Sequence, residues 1–253
     1  MELSFFDCNA FIGSAQKGTW KPASGRAGIL SVMDDAGIDK ALLWHVAQQD
    51  WSVPEGNDLL SEAIGAEERL WGCWTILPPQ TAEIPAGAAL YARMKEERIR
   101  AVRMFPGDHR FVPSRTALGD VLDGLARRGV PLFLSVERGA TDYAAIDRLL
   151  AEFPRLTCVL CDVGIWGVDR FTRPLLERFP GVRVETSYLA LHDGVIASLV
   201  EAYGAERLVF GTGFPDRLPA SAMLPLLHAE IDDQAKGLIA GGNLERLIGE
   251  VKL

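Results

Sequence analysis

Short apolar runs alternate with amphipathic stretches from one end of this 253-residue chain to the other. The runs fall at residues 3–8, 40–45, 70–76, 100–104, 131–136, 157–161, 182–186 and 207–210, and several are almost wholly apolar. That pattern predicts parallel strands covered on both faces, since a strand with one wet face alternates instead. Between the runs, apolar residues recur at helical spacing. Ser24, Asn57, Ser114 and Thr141 are the predicted N-caps of helices over 25–36, 58–66, 115–128 and 142–153. Gly129 and Gly181 stand where helices should stop before the next strand. Eight β-then-α units with short connections predict a parallel sheet closed into a (β/α)8 TIM barrel, one domain over residues 1–253. An open doubly wound sheet is the alternative, disfavoured because no Gly-x-Gly-x-x-Gly turn follows a strand. Leu244, Leu247 and Ile248 are spaced for a C-terminal helix packed on the barrel.

Charge narrows the partners. With 26 basic against 34 acidic residues the net charge is −8, which opposes a nucleic-acid surface built on clustered Lys and Arg. No apolar run approaches the roughly 20 residues that cross a bilayer. The acidic start Met1-Glu2-Leu3-Ser4 lacks a signal-peptide layout, and four cysteines make no disulfide framework, so a cytoplasmic location is expected. Cys158 and Cys161 lie three apart on a predicted strand and should face opposite sides, as packing residues rather than a metal or redox pair.

The chemistry-bearing residues gather at predicted strand ends. The first run ends Phe6-Asp7-Cys8-Asn9-Ala10-Phe11-Ile12-Gly13, and the last Arg207-Leu208-Val209-Phe210-Gly211-Thr212-Gly213-Phe214-Pro215. Gly242-Asn243-Leu244-Glu245-Arg246-Leu247-Ile248-Gly249 follows near the C-terminus. Together these segments resemble the amidohydrolase-related family, mostly metal-dependent (β/α)8 hydrolases and decarboxylases. The resemblance implies Asp-x-His-x-His on strand one, histidines on strands five and six, Gly-Ser-Asp-x-Pro on strand eight, and at times a Lys or Glu from strand four. This chain has Asn9 and Phe11, Ser135, Asp162 and Gly213 in the corresponding places. By that correspondence the metal ligands are gone, and no metal or other cofactor is expected, because neutral Asn and Ser oxygens are weak ligands and Phe and Gly donate nothing.

Several groups remain for the same mouth. Asp162 is a candidate general base, suited to that work by apolar neighbours such as Trp166, or else a local turn cap. His45, ending the second strand, is the candidate acid, or else a structural histidine. Arg103 either clamps a substrate carboxylate or pairs with Glu137 or Asp7. Asn9, Ser135, Glu185 and Trp44 complete the candidate binding set, with Asp7, Asn9 and Phe11 sharing a face by the two-residue period. Glu185 and Ser187 end the seventh strand, where the resemblance implies an acidic or hydroxyl residue that supports a ligand, so a supporting structural role is expected of them rather than catalysis. Trp20, Trp51 and Trp166 are candidate pocket walls, and His109, His192 and His228 are read as exposed or capping residues. No nucleophile elbow or Ser-His-Asp order points to a covalent route.

Three functional readings follow. The first is a metal-independent hydrolase or related lyase acting on a small carboxylated or cyclic compound, the substrate class being implied by the resemblance. The second is a non-catalytic descendant that binds a metabolite or a protein partner in the retained pocket. The third is a relocated metal site of Asp7, His45, Asp162 and Glu185. The expected partner is a small molecule, with no nucleic acid and no membrane; a homodimer is implied by resemblance alone.

Overall fold

The computed structural model describes residues 3–14, 23, 25–164, 169–189 and 194–253. Among them, eight parallel strands lie side by side in chain order: β1 (Phe6–Ile12), β2 (Lys40–His45), β3 (Leu70–Thr75), β4 (Ile99–Met104), β5 (Leu132–Ser135), β6 (Cys158–Cys161), β7 (Val182–Glu185) and β8 (Leu208–Val209). Backbone hydrogen bonds complete the circuit from the segment after β8 to β1: Cys8 N donates to Phe210 O at 2.9 Å, and Gly213 N to Asn9 O at 3.0 Å. The helices are α1 (Arg26–Ala36), α2 (Ala47–Asp50), α3 (Val53–Ile64), α4 (Gly87–Glu96), α5 (Arg115–Arg128), α6 (Tyr143–Glu152), α7 (Asp169–Arg178), α8 (Val195–Tyr203), α9 (Pro219–His228), α10 (Asp233–Gly237) and α11 (Asn243–Gly249). This is the (β/α)8 TIM barrel expected from the apolar pattern, with the C-terminal helix in place.

Strand parity divides the core in two. Leu42, Trp44, Phe133, Val159 and Cys161 fill the barrel interior. Leu43, Leu132, Leu134, Cys158 and Leu160 pack outward in the shell of the helices. Cys158 and Cys161 therefore do face opposite sides, and all four cysteines are free and buried. Leu244, Leu247 and Ile248 of α11 join the interior, while Glu245 of the same helix meets Lys40, the first residue of β2, at 2.6 Å. The helix thus stoppers the end of the barrel where strands begin, and the polar residues at the other end form the mouth.

Local structure departs from expectation in three places. Ser52, not Asn57, caps the helix after β2: its hydroxyl accepts from Glu55 N, and Pro54 sits in the first turn. Asn57 is buried within α3, tying Gln48 to the backbone of Thr75. Asp142 rather than Thr141 caps α6, accepting from Ala145 N at 2.8 Å. In β1, Asp7 pairs with Ala41 but Ala10 pairs with Leu43, so one extra residue bulges between them. The strict alternation expected of Asp7, Asn9 and Phe11 fails there, and Cys8 and Phe11, three apart, both enter the interior. Ser24 lies outside the described residues; Ser114 caps α5 as expected. Among the described residues no helix is long and apolar enough to cross a membrane.

Candidate functional site

The strand ends bring five of the predicted residues into one hydrogen-bonded chain. Arg103, in β4, is fully buried; its two terminal nitrogens donate to Ser135 Oγ of β5 and Asn9 Oδ1 of β1, each at 2.8 Å. Asn9 turns its amide nitrogen to two carboxylates, donating to Asp162 Oδ1 and Glu185 Oε2 at 3.1 Å each. The amide orientation is fixed chemically, since guanidinium nitrogens only donate and so require the amide oxygen to face Arg103. Trp44 lies beneath, wholly buried, its ring 4.6 Å from Phe11 and 5.2 Å from Phe105. The Arg103 guanidinium carbon is 5.0 Å from the Trp44 ring.

Asp162 stands apart within this network. It follows the last residue of β6 with a left-handed φ of 50°, a conformation that Asp tolerates better than most residues. Its Oδ2 is buried and has no hydrogen-bond partner among the described residues. A buried carboxylate oxygen without a donor is costly, and it is where a ligand proton donor would find a ready acceptor.

Glu185 and Asp7 are held more tightly. Glu185 Oε1 accepts a short bond from Ser187 N, and Oε2 accepts from Ser187 Oγ at 2.8 Å. Gly211 makes room for it, since a Cβ there would come within 2.6 Å of the Glu185 side chain. Burial, with the neighbouring Asp162 charge second, pushes the Glu185 carboxyl up from an ordinary 4.5 to about 7. Asp7 is raised by burial too, against hydrogen bonds from Thr212 and Asn9. A carboxyl raised on folding binds more protons in the native than in the unfolded state. Its stabilising contribution is therefore complete below about 4.5 and is lost as pH rises through about 7. For Glu185 this amounts to something on the order of 3 kcal/mol. Urea unfolding is expected to show stability falling from about pH 5 to about pH 8, and Glu185→Gln to flatten the slope. Equal slopes in the two proteins would refute the assignment.

The structure separates His45 from this group. Trp44 takes the inward position of β2, so His45 points outward, its ring against Gly13 in a cleft between α1 and α3 lined by Ile12, Arg26, Leu30 and Leu59. Its Nδ1 accepts from Ala47 N at 3.1 Å. The acid role read for His45 has no geometric support, and the grouping of Asp7, His45, Asp162 and Glu185 does not assemble. Arg103 pairs with neither Glu137 nor Asp7 by hydrogen bond, and its terminal nitrogens are committed to Asn9 and Ser135 rather than free to clamp a substrate. Trp51 is 82% exposed; Trp20, Trp166 and His192 lie outside the described residues.

Three mouth residues escaped the sequence reading. Arg138, in the turn after β5, lies 4.7 Å from the Phe11 ring and pairs with Asp216. Burial lowers its guanidinium pKa while the Asp162 charge opposes that shift. Arg217 stacks 3.6 Å over Tyr188, whose hydroxyl pKa is raised by burial first and by the Asp162 charge second. None carries a strand-end signal; the aromatic-plus-arginine composition of the loops was the available clue.

A family model described as amidohydrolase matches residues 45–249. No curated protein sequence matches the chain significantly. Among solved structures, the chain is similar to a 5-carboxyvanillate decarboxylase from Sphingomonas paucimobilis, with 17% identity, a TM-score of 0.70, and 99% of this chain and 100% of that one covered. A probable 2-pyrone-4,6-dicarboxylic acid hydrolase from Acinetobacter baumannii, with citric acid bound, shares 13% identity at a TM-score of 0.72, covering 98% and 100%. A dihydroxybenzoic acid decarboxylase from Polaromonas sp. JS666, with bound manganese, shares 15% at 0.75, covering 98% and 97%. At these identities the likeness is one of fold.

Proposed function

This chain belongs to the amidohydrolase family, and we propose that it is a hydrolase or related lyase of small carboxylated compounds that works without a metal ion. The observation that carries this reading is Asp162: a buried carboxylate at a barrel strand end, anchored through one oxygen by Asn9 and, among the described residues, unpartnered at the other. In hydrolysis, Asp162 takes a proton from water as the water oxygen adds to the substrate carbonyl, then returns it to the leaving group. In decarboxylation, a protonated Asp162 delivers its proton to the carbon that loses carbon dioxide. Arg138, part-exposed above Phe11, takes the anion-holding role first read for Arg103, a substrate carboxylate taking the place of its Asp216 partner. The carboxylated substrates named for the similar structures support that choice of class.

A divalent ion, as bound by the manganese-containing relative, does not fit the donor set of this chain. Asn9 Oδ1 and Ser135 Oγ accept from Arg103. Both Asp7 oxygens accept from Asn9 and Thr212, and both Glu185 oxygens from Ser187. No step is therefore routed through a metal. The test is a panel of carboxylated phenols and carboxylated lactones offered to chelator-dialysed protein, with products read by mass spectrometry. Turnover that survives chelation and ignores added Mn²⁺ is expected. Turnover appearing only on adding metal would overturn the metal-free reading; saturable binding without product across the panel would favour the metabolite-binding alternative.

A further inference from the structure

Three buried carboxylates meet at the mouth, Asp7, Asp162 and Glu185, and the fully buried cation among the described residues is Arg103. Its guanidinium grips Asn9 and Ser135, the positions on β1 and β5 where the family resemblance expects metal ligands. Through Asn9 it reaches Asp162, the expected position on β6. Its carbon lies 5.0 Å from the Trp44 ring, 5.8 Å from Phe133 and 5.9 Å from Phe105. Aromatic faces suit a planar, weakly hydrated guanidinium, whereas a divalent ion needs lone pairs on most sides.

We infer that Arg103 is the resident cation of this barrel, standing in for a divalent ion and closing the site to one. Asn9 shows how the closure works. Its amide oxygen faces the guanidinium and its amide nitrogen faces Asp162 and Glu185. A metal held between those carboxylates would require the amide to reverse, which would strand one of the two bonded Arg103 nitrogens without its acceptor. The guanidinium also repels a second cation across a low-dielectric interior. Arg103 is thus a positioning residue: it sets Asn9, and Asn9 sets Asp162. This deepens the metal-free part of the proposed function, but it is read by ion binding and stability, so it is decided separately from turnover.

The experiment compares the whole wild-type chain with Arg103→Ala and Arg103→Lys. Wild type purified without chelator is expected to carry no stoichiometric divalent metal and to take up no Mn²⁺ in a titration followed by electron paramagnetic resonance. Arg103→Ala should melt at lower temperature, with millimolar guanidinium chloride restoring part of the loss and the same concentration of sodium chloride restoring none. Arg103→Lys, charged but unable to span both acceptors, should melt between the two and still refuse Mn²⁺. Stoichiometric metal on the wild type, Mn²⁺ uptake by the lysine variant, or an alanine variant that responds equally to both salts would each overturn the inference. If the alanine variant does not fold, the first two measurements still decide it.

Discussion

Asp162→Asn is expected to lower turnover by about 100- to 10,000-fold, the range that general acid–base groups contribute, with little change in the unfolding midpoint. Asparagine keeps an oxygen where Asn9 Nδ2 donates. It loses only the proton acceptor at Oδ2, which bonds to nothing among the described residues. The choice of asparagine also removes a confounding effect. The φ of 50° at this position is one that Asn and Asp adopt readily, while alanine there would add backbone strain to the loss of chemistry. Turnover and unfolding should be measured on the same preparation, together with thermal-shift binding of whichever substrate the panel identifies. Lost turnover with retained binding and midpoint places the proton transfer at Asp162. Turnover equal to wild type removes Asp162 from the mechanism and takes with it the observation on which the function rests.

The barrel was legible in the chain because its evidence is distributed: eight apolar runs, helical spacing between them, and a terminal Leu244-Leu247-Ile248 stripe all point to one architecture. Asn9, Arg103, Ser135, Asp162 and Glu185 could be placed at one mouth because parallel strands end together. What each side chain bonds to was not legible. Arg103 was expected to reach for a substrate or a carboxylate, and its partners turned out to be two neutral oxygens. That follows from where β1 and β5 stand relative to β4, which is a tertiary fact. His45 was a parity error that the residues themselves could have corrected. Leu42 and Trp44 share a face, so once bulky Trp44 enters the interior its neighbour must leave it. The β1 bulge had no such signal, since its cause is a closure with the segment after β8, some two hundred residues away in the chain.

The Asp7 side chain bridges that closure, and Asp7→Ala is expected to cost at least about 3 kcal/mol of stability. Its Oδ1 accepts from Asn9 N at 2.9 Å and Thr212 N at 3.0 Å, and its Oδ2 accepts from Thr212 Oγ1 at 2.5 Å. Alanine strands these three donors in a fully buried seam, each at about 1–3 kcal/mol. Against a typical domain stability of about 5–15 kcal/mol, the barrel would be left close to unfolding. Asp7→Asn is the informative contrast. Its amide oxygen can still accept from both backbone donors, but its amide nitrogen only donates, so the Thr212 hydroxyl proton loses its Asp7 acceptor. Burial already disfavours the Asp7 charge, so a neutral replacement forfeits little electrostatic stabilisation. Urea unfolding should therefore place Asp7→Asn between wild type and Asp7→Ala, with one stranded donor against three. The same seam sets the bulge that delivers Asn9 to Arg103, so hydrogen exchange in a folded alanine variant should quicken at Asn9 and Thr212 before it does in β4 or β5. An alanine variant as stable as wild type would mean that backbone bonds alone close the barrel, with the Asp7 carboxylate idle in that role.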